Sequence, residues 1–171
     1  NEWNLVSTIN GTQSGERLGM CVSMNHTGNI VAMSSPRFDI NGAMSIGRVS
    51  IYEYDGNQYI KLGSDITGTQ DSDFFGMSLE LNDDGYSIVI GTSQSSTLAE
   101  KYVSVYSFDN LTSDWVKVGA SITHPMQSNK KLSVSINGLG NKIVVGEVGY
   151  DDTENSLTDN GRVCAYSINY G

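Results

Sequence analysis

Asp151, Asp152, Glu154 and Asp159 fall inside one stretch, GYDDTENSLTDNGR (149–162), and carboxylate oxygens gathered in a single loop are the ligands a hard cation such as calcium takes. The spacing lacks the bidentate glutamate that closes an EF-hand loop, so a solvated acidic loop is the stronger reading. Asp151, Asp152 and Asp159 are the weaker candidates for metal ligands, and no metal site is assigned to them. His26 lies in a predicted hairpin turn and His124 in the loop THPM, at positions that suit neither zinc nor a nucleophile's base. No nucleophile elbow, phosphate loop or dinucleotide fingerprint occurs. NDDGYS has a faint likeness to the Asp-box turn of sialidases, but only Arg17, Arg37, Arg48 and Arg162 could bind an acidic sugar. The chain therefore reads as no enzyme, and it calls for no cofactor.

What must position these residues is set by composition. With 19 glycines, 2 prolines and 17% charged residues, the chain is poor in solvated helix faces and rich in turn formers, so it reads as all-β with essentially no helix. A net charge of -9 repels phosphate backbones, and Lys130–Lys131 forms the only adjacent basic pair, which argues against nucleic-acid binding. No apolar run is long enough to span a bilayer. The chain opens at Asn1 without a methionine or signal-like segment and reads as a processed protein or an excerpt from a longer one. Cys21 and Cys164 lie in strand-like runs at different positions within their repeats. Two unpaired buried thiols are the leading reading, with a ring-closing disulfide as the alternative.

The chain says nearly the same thing three times, at a period of about 56 residues, which is the mark of a repeat architecture. The copies run approximately 1–56, 57–111 and 112–171 within one repeat domain. Trp3, Tyr59 and Trp115 align, as do Ile9, Ile66 and Ile122, then Gly28, Gly85 and Gly140, then Tyr52, Tyr106 and Tyr166.

Each copy holds four strand-like runs separated by turn residues; in the first they are EWNLVSTI, RLGMCVSMN, NIVAMSS and RVSIYEYD. The second run alternates, placing Met20, Val22 and Met24 on one face, with Met77, Leu79, Leu81 and Leu132, Val134, Ile136 as counterparts. The third run, NIVAM, SIVIG or KIVVG, is continuously apolar and fits a strand covered on both faces. It follows a turn ending in Gly28, Gly85 or Gly140, where a positive φ is expected. The fourth run carries an aromatic at a fixed offset, and one such set per four-stranded sheet is the cue for propeller blades stacked face to face.

The residues resemble the FG-GAP-like, integrin-α-type β-propeller repeats in a degenerate form. The second copy carries the likeness best, with Phe75, Gly76 and Ser78, then Asp84 and Gly85, then Ile88, Val89 and Gly91, then Val103 and Tyr106. The likeness covers almost the whole chain. Leu18 stands where the first copy would have phenylalanine, and Lys130–Lys131 replaces the Phe-Gly pair in the third. The resemblance implies three four-stranded antiparallel blades, each offset from the sequence repeat, so that residues 1–9 complete the last blade. It also brings to mind calcium hairpins, but NHTG, NDDG and NGLG hold too few carboxylates and no calcium site is carried over to them. Propellers close with four to eight blades. Two chains forming a six-bladed ring, or a longer repeat chain, are therefore expected over a closed three-bladed monomer.

Two function classes follow. The leading one is a structural or adhesive module of an extracellular or surface-exposed assembly, such as a cell or virion surface, whose partners are other protein subunits or further copies. The alternative is a multivalent lectin that holds glycans on Trp3, Tyr59 and Trp115, although packing is the leading role of these aromatics. The loops after the third strand differ strongly between copies, which favours the first class. Sequons at Asn10, Asn25 and Asn110 are no more than composition predicts by chance.

Overall fold

The computed structural model describes residues 2–93, 101–124 and 132–168. It is all-β: the described residues contain no helix and three antiparallel sheets. Sheet one contains β1 (Val22–Met24), β2 (Ile30–Ser35) and β3 (Arg48–Tyr54), with β4 (Tyr59–Lys61) and β5 (Ile66–Thr67) both on the outer edge of β3. Sheet two runs β6 (Ser78–Leu81), β7 (Ser87–Gly91), β8 (Lys101–Asp109) and β9 (Asp114–His124). Sheet three runs β10 (Leu132–Ile136), β11 (Lys142–Glu147) and β12 (Arg162–Ser167). The offset expected from the repeat is present in the first two sheets, whose last strands come from the start of the following copy.

Residues 2–9 correct the expectation of a strand there. They form none, and Trp3, Leu5 and Val6 are exposed. A strand needs an edge to pair with, and the edge that this segment would complete, β12, lies in sheet three with sheet two in between. Sheet three accordingly has three described strands rather than four. Lys130 and Lys131, and the start of the third inner strand, lie outside the described residues.

Sheet two fills the middle of the stack, and its β7 shows why a continuous apolar run is needed there. Ile88 and Ile90 point into one core with Ile30, Val49, Ile51, Phe75 and Leu79, while Val89 points into the other with Val103, Leu132, Ile143 and Val145. The outer sheets bury one face each. In β2, Ile30 and Ala32 are buried while Val31 and Met33 are half-buried; in β11, Ile143 and Val145 are buried while Val144 is exposed.

Three turns repeat with the same chemistry. Gly28, Gly85 and Gly140 hold φ of 78°, 84° and 71°, the left-handed region where a side chain is strained. The asparagine opening each turn accepts the N–H of the next strand: Ile30 at 2.9 Å on Asn25, Ser87 at 2.9 Å on Asn82 and Lys142 at 2.8 Å on Asn137. These side chains mimic a backbone turn and tie each hairpin before its strands pair.

Candidate functional site

The same residues that close the hairpins also join the sheets in one direction. The Asn25 side-chain amide donates to the Asp84 carbonyl at 3.2 Å, and that of Asn82 to the Gly138 carbonyl at 3.1 Å. Alongside, the N–H of Leu81 donates to Ser23 Oγ at 3.0 Å and that of Ile136 to Glu80 Oε2 at 2.6 Å. Each sheet therefore grips the next through equivalent positions. Such head-to-tail contact leaves an unmatched surface at either end of the stack.

Both ends expose apolar side chains. On sheet one Val22 and Met24 are 71% and 57% exposed, while their counterparts Leu79 and Leu81 are 9% and 5%. On sheet three Val163 is 72% exposed, while Val49 and Val103 are fully buried. Apolar side chains left open where the equivalent positions inside the stack are covered mark a candidate interaction face.

A second set of residues binds the loop before the first two inner strands, and sequence reasoning passed over it. The signal was present as GTQSGE in the first copy and GTQDSD in the second. Glu16 Oε1 accepts the N–H groups of Thr12 and, at 3.1 Å, Gln13; Asp73 Oδ2 accepts those of Thr69 at 2.8 Å and Gln70 at 3.0 Å. Each carboxylate then meets a donor at the start of the third strand of its own sheet or the next. Arg48 lies 2.7 Å from Glu16, and the Tyr102 hydroxyl donates to Asp73 at 2.7 Å. The third copy has Ser128 at the aligned position, and Arg162 pairs with Glu147 on the adjacent strand at 2.8 Å. Burial and then the Asp73 carboxylate push the Tyr102 hydroxyl far above its ordinary range, so it stays a donor at physiological pH.

Burial alone would raise the Glu16 carboxyl, but the N–H groups of Gln13 and Thr12, then Ser35 and Arg48, hold it below its ordinary 4.5. A carboxyl depressed by folding adds stability that is complete above the unfolded value and lost as pH falls through the lower folded one. Amide exchange at Thr12 and Gln13 should therefore accelerate as pH drops below about 4.5, beyond the intrinsic rate change. In the Glu16→Gln chain that pH step should disappear; an unchanged step would assign it to another group.

The residues singled out from sequence occupy separate places. Trp3 is fully exposed, whereas the Tyr59 hydroxyl donates to the Gly28 carbonyl at 2.5 Å and Trp115 Nε1 to the Leu62 carbonyl at 2.9 Å. Trp115 also packs edge-on against Phe108. In the acidic loop, Asp151 accepts the Asp159 N–H at 2.6 Å and Asp152 accepts the Asn155 N–H and side-chain amide. Asp151 and Asp152 thus cap turns of their own loop, and among the described residues no group of three His, Cys, Asp or Glu side chains converges on a metal-sized site. Cys21 and Cys164 are half-buried thiols that are not joined in a disulfide. His26 is exposed in its turn, and His124 ends β9. Asn10 and Asn110 are exposed, while Asn25 is buried by the hydrogen bonds of its turn.

No protein-family model matches the chain. No curated protein matches it either.

Proposed function

We propose that the chain is a non-enzymatic, protein-contacting module of β-propeller type, its three sheets being consecutive blades of FG-GAP-like kind, and that it serves in an extracellular or surface-exposed assembly. The observation that carries this reading is the pair of uncovered apolar ends, Val22 and Met24 on one and Val163 on the other, whose counterparts inside the stack are buried. Stacking continues through equivalent positions until it meets a partner or closes. Rigid sheets with divergent loops suit presentation to other proteins better than repeated chemistry on one small ligand.

A lectin would place its three aromatics in like settings. Here Tyr59 and Trp115 are engaged in packing and hydrogen bonds, which favours the protein-contact reading. The test is binding of the purified chain to a glycan array, with and without a calcium chelator. No saturable binding is expected in either condition. Saturable binding to one sugar family would replace this reading with the lectin, and its loss on chelation would direct attention to Asp151, Asp152 and Asp159.

A further inference from the structure

We propose that residues 3–9 of one copy form the fourth strand of sheet three in a second copy, with the Trp3 ring seated on Gly119, so that two chains close a ring of six sheets. This rests on reading the sheets as blades. Its occupant and its register come from the contacts within the chain.

The template is Trp115. On the fourth strand of sheet two, its Nε1 donates to the Leu62 carbonyl of sheet one at 2.9 Å. Its Cδ1 lies 2.9 Å from where a Cβ on Gly63 would be. Gly63 has φ +70°, and the glycine in the next copy, Gly119, has φ +67°. Among the described residues, nothing beyond its chain neighbours comes within 4 Å of the Cβ position on Gly119. Val118 and Gly119 thus repeat the Leu62–Gly63 seat on sheet two, and the aromatic aligned with Trp115 in the first copy is Trp3.

A cleft of about 190 Å³ runs beside this seat. Its walls include Val105, Val118 and Ile122 from sheet two and Ile143, Tyr166 and Ile168 from the last sheet and its end. That is where a strand added to β12 would lay its side chains. The registers fix how it would lie. In sheet two Ile122 stands opposite Val103, Lys117 opposite Tyr106 and Trp115 opposite Phe108. Carried through the repeat, Ile9 falls opposite Val163, Leu5 opposite Tyr166 and Trp3 opposite Ile168.

The donor is a second copy because of where the segment lies. Ser7, Ile9 and Asn10 run beside Val22, Met24 and Met33 on the open face of sheet one, and sheet two stands between that face and β12. Stacking a second chain head to tail brings its sheet one onto this chain's sheet three. Ser135 Oγ, the counterpart of Ser23 and Glu80, then meets the Met24 N–H of the other chain, and Val163 is covered by its apolar face. The same contact recurs once by two-fold rotation and closes the ring, with six blades inside the range at which propellers close.

The test uses the whole chain in two measurements. Light scattering at micromolar concentration should give twice the 18.5 kDa chain mass. Trp3→Ala should weaken the dimer by about 30-fold, the loss expected of a buried aromatic anchor; Trp3 lies outside every strand, so its removal leaves the sheets intact. Next, a Cys21→Ser/Cys164→Ser background carries Ile9→Cys in one preparation and Val163→Cys in another. Mixing and oxidising them should yield a disulfide-linked pair of chains. A particle of single mass, or cross-linking only within one chain when both cysteines are placed together, would overturn the proposal. An intact β-sheet circular dichroism spectrum in that monomer, with no glycan bound, would leave the protein-contact reading standing.

Discussion

Phe75→Ala is expected to lower unfolding stability by about 3–5 kcal/mol, enough to unfold much of the population of a domain whose total stability is of the order of 5–15 kcal/mol. Phe75 is fully buried between sheets one and two, with the Tyr102 ring 6.2 Å away and the Tyr106 ring edge-on at 6.4 Å. Its backbone is equally confined: a Cβ on Gly47 would come within 2.4 Å of both its N and its O. Neighbours pinned on two sides collapse poorly into the space a ring leaves, so the cavity term adds to the lost burial. Leu139→Ala, at an 82% exposed position, should change stability by less than about 0.5 kcal/mol and serves as the control. Urea denaturation of both variants decides it. A Phe75→Ala loss below about 1 kcal/mol would mean that the two sheets are not locked together by this ring.

The glycines of the three turns were legible because a tight turn before an apolar run needs little context to read, whereas Phe75 stood out only for its Phe-Gly step and its burial was not legible in the sequence. The apolar alternation of β1 was legible as a pattern and misleading as to burial. Met20, Val22 and Met24 repeat the face of Leu79 and Leu81, but a pattern tells which side is apolar and not whether anything lies on it. Residues 2–9 show the same limit: strand-like residues form a strand only beside an edge, and that edge depends on how copies stack. Glu16 and Asp73 were missed for another reason. Their motif lies in a turn-rich stretch with no hydrophobic period, and only the folded chain brings Arg48 and Tyr102, 32 and 29 residues away, onto them.

The directional contacts between sheets help explain why the three copies are alike in their strands. Strand positions such as Ser23 and Glu80 must meet a backbone N–H of the next sheet, which constrains them through the whole stack.

Asp73→Ala should cost roughly 2–4 kcal/mol, although it removes only a few atoms. Asp73 is fully buried, and one of its oxygens accepts the N–H groups of Thr69 and Gln70 and the hydroxyl of Tyr102. Alanine would strand the buried Tyr102 hydroxyl, at about 1–3 kcal/mol, and untie the N–H groups of Thr69 and Gln70, whose residues are exposed so that water can replace the lost acceptor. Asp73→Asn keeps an oxygen at the same place and should lose only about 1–2 kcal/mol, because the charge-assisted strength goes while the geometry stays. The pairing with Tyr102 can be isolated. Once Asp73 is alanine, Tyr102→Phe removes a stranded hydroxyl, so the double variant should be more stable than the two single losses added together, by about 1–2 kcal/mol. Additive losses would place the cost in the loop amides of Thr69 and Gln70 alone. Glu16→Ala should be milder than Asp73→Ala, since the Arg48 it leaves behind still has Asp65 within 3.6 Å.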